Sequence, residues 1–199
     1  MNQKGRLIVI SGPSGAGKSS VVFRAIEGRV DICFSTSVTT RKARPGEVDG
    51  REYFFIDMDR FNKMVENDEL LEHAVYVGNA YGTPRRYVED KLALGMNVLL
   101  DIEIQGARQV MEKVPEALKI FIIPPSLDEL RARLVKRGTD SAEAIEGRLK
   151  RALEEYKEAV FYDYIIVNDD LAVAAEEFNA ILIAEKCRYP FRRHWLEEA

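Results

Sequence analysis

The run Gly12-Pro13-Ser14-Gly15-Ala16-Gly17-Lys18-Ser19 constrains this chain more than any other stretch. It matches the spacing Gly-x-x-x-x-Gly-Lys-Ser/Thr. Directly before it lies Arg6–Ile10, apolar from Leu7 onward, as expected of a strand covered on both faces of a parallel sheet. A helix is expected to follow from about Lys18. The glycines let the backbone curl into a concave nest whose N–H groups aim at phosphate oxygens. The helix start turns its positive dipole end toward the same anion. Lys18 can then reach the β- and γ-phosphates, and the Ser19 hydroxyl can bind Mg2+. Gly12 through Ser20 therefore read as a site for a nucleoside triphosphate, ATP with Mg2+.

Apolar runs alternate with helical stretches through the rest of the chain. Asn97–Asp101, Lys119–Ile123 and Tyr164–Val167 read as strands. Tyr87–Leu94, Gly106–Lys113, Leu127–Arg137 and Leu171–Ala184 read as helices. The alternation predicts an α/β fold, a three-layer core with a parallel sheet. Two stretches break it. One, about 35–83, carries the β-rich run Glu52–Ile56, turn signals at Pro45-Gly46 and Asp49-Gly50, and a helix-like piece near Asp59–Asn67; it reads as an inserted α+β lobe. The other, about 126–159, is charged and helical and reads as a lid. The core is left with about 5–34, 84–125 and 160–190, in one domain spanning 1–199. Ser126, three before Glu129 and just after Pro124-Pro125, predicts a capping box. Gly138 reads as the end of that helix, and Ser141 as the start of the next.

Composition narrows the partners. A 46% hydrophobic and 31% charged chain is that of a globular protein with a buried core. No apolar run is long enough to span a bilayer, and the N-terminus shows no signal-peptide core, so no membrane is expected. The formal net charge of −4 weighs against a nucleic-acid polymer as partner. Two cysteines, Cys33 and Cys187, read as free thiols, buried or inert, and point to a cytoplasmic setting. With His73 and His194 they form no metal set at a usual spacing.

Among classes that bind a nucleoside triphosphate, a GTPase should carry an Asn-Lys-x-Asp base-reading sequence. Val167-Asn168-Asp169-Asp170 is a different arrangement, and the chain is short for a motor ATPase. A small-molecule kinase leads, and it needs a second anion site. Ser37 to Tyr53 offers one: Arg41 and Arg44, three apart, can fork around one phosphate, and Tyr53 can add a phenolic donor. Arginine outnumbers lysine 18 to 11, the bias expected where planar phosphate recognition matters.

The segment resembles guanylate kinase, and so does most of the chain. The matching motifs are Ser11–Ser19, Ser37–Glu47, Asp49-Gly50 with Tyr53-Phe54-Phe55, Leu71–Ala74, Gly78–Thr83, Leu100–Gly106, Pro124–Ser126, Arg137-Gly138-Thr139 and Ile166–Asp170. They fall in order from about Arg6 to Ala184. The resemblance implies reversible phosphoryl transfer from ATP to GMP, with dGMP as a further acceptor. It implies that Arg41, Arg44, Tyr53 and Tyr81 hold the GMP phosphate, and that Ser37, Glu72, Thr83 and Asp101 read or position guanine. It makes Arg133, Arg137 and Arg148 lid arginines over the ATP phosphates and places Asn168 near adenine. Lys18, Arg44, Arg137 and Arg148 are the expected catalytic cations. Asp101, at the end of a strand in a chain with a phosphate loop, can also orient Mg2+ through water; the two roles stay open. Two departures from the family pattern stand out. Thr83 replaces a common serine, with the same hydroxyl chemistry. Ala80 stands where an aromatic is common, which predicts looser packing.

Glu72 also suits guanine on chemical grounds. Guanine presents N1–H and an N2 amine on one edge, and one carboxylate can accept from both. Adenine offers a lone pair at N1 instead. Guanylate-kinase-like interaction modules typically lose the phosphate loop or the lid arginines; Lys18, Ser19, Arg137 and Arg148 are all present here. A kinase for another phosphorylated acceptor would lack the Glu72/Thr83 pair. The lobe and lid are expected to close on substrate and exclude water. The basic, aromatic tail Arg188–Trp195 reads as a frayed end, a patch on the core or an oligomer contact, so monomer and homo-oligomer both stay open.

Overall fold

The computed structural model describes residues 4–76, 78–138 and 140–197. Thr139 of the motif above, the side chain of His194 and the final residues 198–199 lie outside the description. In chain order the elements are β1 (Leu7–Ser11), α1 (Lys18–Ile26), β2 (Ile32–Phe34), β3 (Val38–Thr39), β4 (Phe54–Phe55), α2 (Met58–Glu66), β5 (Leu70–Tyr76), β6 (Asn79–Pro84), α3 (Arg85–Ala93), β7 (Asn97–Asp101), α4 (Ile104–Lys113), β8 (Leu118–Ile123), α5 (Leu127–Arg137), α6 (Ala142–Lys157), β9 (Tyr164–Val167), α7 (Leu171–Lys186), α8 (Tyr189–Arg192) and α9 (His194–Glu197). The fold is α/β with a parallel sheet. No helix among the described residues is long and apolar enough to cross a membrane.

The chain divides into two compact units. The first holds residues up to Ser11, Arg29–Ile120 and Val160–Asp163. Its sheet runs β2-β7-β1 and continues into the first half of β8. β1 and β7 pair in parallel, Leu7 with Val98 through Ile10 with Asp101, and β2 pairs with the other edge of β7. All five residues of β1 are buried, as an apolar run without alternation requires of a strand covered on both faces. Leu7, Val9, Val98 and Leu100 meet Leu71, Val88, Leu92, Ala107 and Val110 in one apolar cluster. A second sheet, β4-β3-β6-β5, spans much of the 35–83 stretch. Its core is Val38, Phe61, Met64, Leu70 and Ala80. Ala80 is 1% exposed, and its N–H donates to Thr40 Oγ1 at 2.9 Å, so the strand is buried and hydrogen-bonded at this small residue.

The second unit holds Gly12–Gly28, Phe121–Ala159 and Tyr164–Ala199. Here the last half of β8 has β9 beside it. Helix boundaries follow from caps. Ser126 Oγ accepts from the Glu129 N–H at 3.1 Å and starts α5. The reciprocal half of the expected capping box is replaced: the Glu129 carboxylate accepts from Arg133 Nε at 2.8 Å. Gly138, at φ 68°, ends α5, and Ser141 Oγ accepts from the Ala144 N–H to start α6. α5 and α6 share an apolar seam of Leu130, Leu134, Ile145, Leu149 and Ala152, and Arg131 on α5 pairs with Glu146 on α6. In the tail, Phe191 is half-buried while Tyr189 and Trp195 are exposed. Both cysteines are free thiols; Cys33 is half-buried, where burial pushes its pKa up, and Cys187 is exposed rather than buried.

Candidate functional site

In the second unit the turn between Ser11 and Lys18 forms a tight loop. Gly12 adopts φ 142°, and a side chain there would lie 2.0 Å from the Ile122 carbonyl oxygen, so only glycine fits against the end of β8. Pro13 is buried, and its carbonyl accepts from the Ala16 N–H at 3.0 Å. A methyl on Gly15 would come within 3.0 Å of Leu130 and Leu134, which sets the loop directly against α5. Gly17, at φ 84°, is the N-cap of α1 and supplies no side-chain cap. The first-turn N–H groups of α1 are thereby left to face the loop, as anion binding requires. Lys18 Nζ donates to the Gly12 carbonyl at 2.7 Å. Ser19 and Ser20 are exposed on the first turn of α1.

Two side chains brace this loop. Asn168, 6% exposed after β9, donates from Nδ2 to the Ala16 carbonyl at 2.7 Å. Arg133 on α5 donates to the same carbonyl at 3.3 Å and to the Asn168 carbonyl at 2.8 Å. Asn168 and Arg133 thus meet at the backbone of the phosphate loop, a bracing that neither the motif nor its spacing announces. Arg148 on α6 donates to Ser14 Oγ at 2.7 Å and to Asp140 at 3.1 Å. Arg137, the last residue of α5, is exposed. Five expected ATP-side residues, Ser14, Ala16, Arg133, Arg148 and Asn168, therefore converge through direct contacts.

The first unit assembles the other set. β3 runs antiparallel to β6 with Val38 opposite Gly82 and Thr39 opposite Tyr81. Continued one step, that register sets Ser37 opposite Thr83. Tyr53 and Tyr81 meet edge to face at 6.0 Å, and the Arg41 guanidinium lies 5.3 Å from the Tyr53 ring centroid. Arg41 is held bidentately by Glu47, at 3.0 and 2.9 Å, and Glu47 also accepts from the Arg44 N–H at 2.7 Å. These bonds hold the Glu47 carboxyl below its ordinary range, Arg41 contributing most. Glu47 organises the loop that carries both arginines. The sequence marks Glu47 as the end of the Ser37–Glu47 motif, six residues beyond Arg41, without showing that it grips the arginine. The Arg44 side chain is exposed.

Glu72 on β5 is 6% exposed, and Thr83 on β6 donates to its Oε1 at 2.6 Å. Burial pushes the Glu72 carboxyl above its usual range, while the Thr83 hydroxyl and the Lys113 charge pull the other way. Lys113 itself is anchored at 2.8 Å to Asp68 and at 2.8 Å to the Leu70 carbonyl. Asp101 closes β7 with an exposed carboxylate. No three His, Cys, Asp or Glu among the described residues gather into a metal cage, and the exposed Ser19 hydroxyl offers a hard oxygen donor on α1. A hydroxyl of that kind fits Mg2+, which is usually held by one or two protein oxygens together with substrate phosphates and water.

A family model described as guanylate kinase matches residues 4–185. The chain is 52% identical over 188 residues to a guanylate kinase of Lactococcus lactis, covering 94% of this chain and 92% of that protein. It is 51% identical over 185 residues to a guanylate kinase of Thermus thermophilus, covering 93% and 84%. Among solved structures, the guanylate kinase from Anaplasma phagocytophilum superposes with a TM-score of 0.72 at 39% identity, over 94% of this chain and 88% of that one. The strand-loop-helix around Gly12–Ser19 and the Glu72–Thr83 pair thus lie within a match that runs nearly end to end: the chain belongs to the guanylate kinase family.

Proposed function

We propose that the protein transfers the γ-phosphoryl group of ATP, as its Mg2+ complex, to GMP, reversibly, giving ADP and GDP. The observation that carries the choice of acceptor is the buried Glu72–Thr83 pair. A carboxylate has about four acceptor positions. Thr83 takes one, which leaves capacity for the adjacent N1–H and N2 donors of guanine. Adenine would turn its N1 lone pair toward the carboxylate, and sites built on buried polar pairing reject such analogues by about 10⁴-fold. Ser37 and Asp101 complete the base-reading set.

The GMP phosphate is the nucleophile, so no side chain forms a covalent intermediate. Arg41, Arg44, Tyr53 and Tyr81 orient it. Glu47 takes one edge of the Arg41 guanidinium, and phosphate would use the donors that remain. On the ATP side the loop N–H groups and Lys18 hold the phosphates, while Arg137 and Arg148 offset the charge that develops in transfer. Asn168 borders the adenine end, and Arg133, bonded to the Ala16 and Asn168 carbonyls, is the third lid arginine. Mg2+, bound through Ser19, would neutralise phosphate charge, and Asp101 could orient it through water in place of its guanine role. The family's metabolite substrates and the free thiols agree with a cytoplasmic setting.

ADP formation from ATP with GMP, dGMP, AMP, CMP or UMP, with and without EDTA, tests this reading. Turnover with GMP and dGMP that EDTA abolishes is expected. Equal turnover with AMP would overturn the acceptor assignment.

A further inference from the structure

Gly106 is buried in the first turn of α4, where glycine is the poorest helix former short of proline. Its backbone is helical, so it needs no left-handed conformation to explain it. What it meets is Glu72. A Cβ at position 106 would lie 2.6 Å from Glu72 Oε2, 3.2 Å from Cδ and 3.4 Å from Cγ. The far oxygen, Oε1, is held at 2.6 Å by Thr83. The carboxylate is therefore fixed from two sides, by a hydroxyl at one oxygen and by a bare helix backbone at the other.

We propose that Gly106 is a specificity-determining positioning residue: the missing side chain at 106 sets where the Glu72 carboxylate stands, and hence the register in which guanine is read. This rests on the function proposed above and deepens it. Three points support the assignment. A closest approach of 2.6 Å is shorter than any Cβ tolerates, so a methyl at 106 has to move something. Its three nearest neighbours are all Glu72 side-chain atoms, and a side chain yields more cheaply than backbone. Finally, α4 itself would welcome alanine over glycine. The fold can absorb Gly106→Ala by swinging Glu72 away, and that swing is the movement the reaction cannot absorb. Displacements near 1 Å in a positioning group can cost about a hundredfold in rate.

The test is a cycle of Gly106→Ala, Glu72→Asp and the double variant, each assayed for kcat/KM with GMP, KM for ATP and thermal midpoint. Gly106→Ala alone should lower kcat/KM for GMP about ten- to a hundredfold, with KM for ATP within twofold of the parent. Aspartate withdraws the carboxylate by one methylene from position 106. In that background Gly106→Ala should add less than about threefold, the non-additivity expected of two groups in contact. The double variant should melt at or above Glu72→Asp. An equal fold loss in both backgrounds, or no loss in either, would overturn the assignment. So would a double variant that fails to fold, because the clash would then lie elsewhere than at Glu72. A parent protein with no GMP-dependent turnover would overturn the proposed function and this assignment together, whereas normal parent turnover with an unaffected Gly106→Ala overturns the assignment alone.

Discussion

Replacing Glu72 by glutamine separates what the buried carboxylate does for stability from what it does for recognition. The side chain is 6% exposed, and burial is the dominant influence on its pKa, pushing it upward. A carboxyl with a folded pKa above its unfolded one stabilises the protein below the unfolded value. That contribution is lost as pH rises through the folded value. Glutamine keeps the shape and an oxygen for the Thr83 hydroxyl, without the charge. Glu72→Gln should therefore melt at or above the parent at pH 8, with the difference narrowing toward pH 5. Recognition moves the opposite way. Against guanine, the amide offers one acceptor and turns its NH2 toward a second donor. Losing a hydrogen bond to a charged group, about 1.5–3 kcal/mol, and leaving a buried donor unmatched, about 1–3 kcal/mol, together give about 2.5–6 kcal/mol. In kcat/KM for GMP that is about 10²- to 10⁴-fold, with KM for ATP little changed. A coupled ADP assay over GMP and AMP, paired with melts from pH 5 to 8, reads both. An unchanged GMP/AMP ratio, or a variant clearly less stable than the parent at pH 8, would refute the reasoning.

Four further outcomes follow from named contacts. The parent's KM for GMP should rise as pH falls toward the raised pKa of Glu72, because a protonated carboxyl cannot accept from both guanine donors; a KM for GMP that fell on acidification would contradict that. Lys18→Ala should lose at least about a hundredfold in turnover while melting near the parent, since its Nζ bonds to a loop carbonyl that water can serve. Asn168→Ala removes a buried donor from the Ala16 carbonyl and should cost about 1–2 kcal/mol in thermal or urea unfolding, with weaker ATP binding by calorimetry. Glu47→Gln should raise KM for GMP several-fold with KM for ATP unchanged, because Arg41 and the Arg44 backbone lose a shared anchor; unaltered GMP kinetics would show that the loop needs no such anchor.

Much of the fold was legible because it is written in local signals. β7 and β9 fall on the residues read as strands, and α5 starts at Ser126 and ends at Gly138 because caps act over three or four residues. β8 gains Leu118 and α3 begins at Arg85, two residues before the run read from periodicity, in the way boundaries drift when tertiary contacts extend an element. The phosphate loop was legible as well, since its glycines act on their own backbone. Side-chain partnerships formed across the fold were not. No spacing links Asn168 to Ala16, 152 residues away, or Gly106 to Glu72. Nor does a sequence say that the Arg41 fork is already gripped by Glu47.

In the proposed reading, the two halves of acceptor recognition follow opposite physical strategies, and that explains why one was easier to read than the other. Phosphate would be met by the exposed Arg44 and by the half-buried Arg41, whose charge is already paired to Glu47, so that neither costs the fold much. Such residues can be spotted as a cluster in the sequence. Guanine would be met by a carboxylate removed from water, a burial that raises its pKa and costs stability. Only a close-fitting set of neighbours makes that tolerable: the Thr83 hydroxyl on one oxygen, the Lys113 charge, and the bare backbone of Gly106 against the other oxygen. If base selectivity lives in this buried set, substitutions there should trade selectivity against stability, gaining one as they lose the other. Substitutions at Arg41 or Arg44 should weaken binding of GMP and of other nucleoside monophosphates alike. A change at Arg44 that altered the GMP/AMP ratio as strongly as Glu72→Gln would break this division, and would place part of base reading in the phosphate-binding loop.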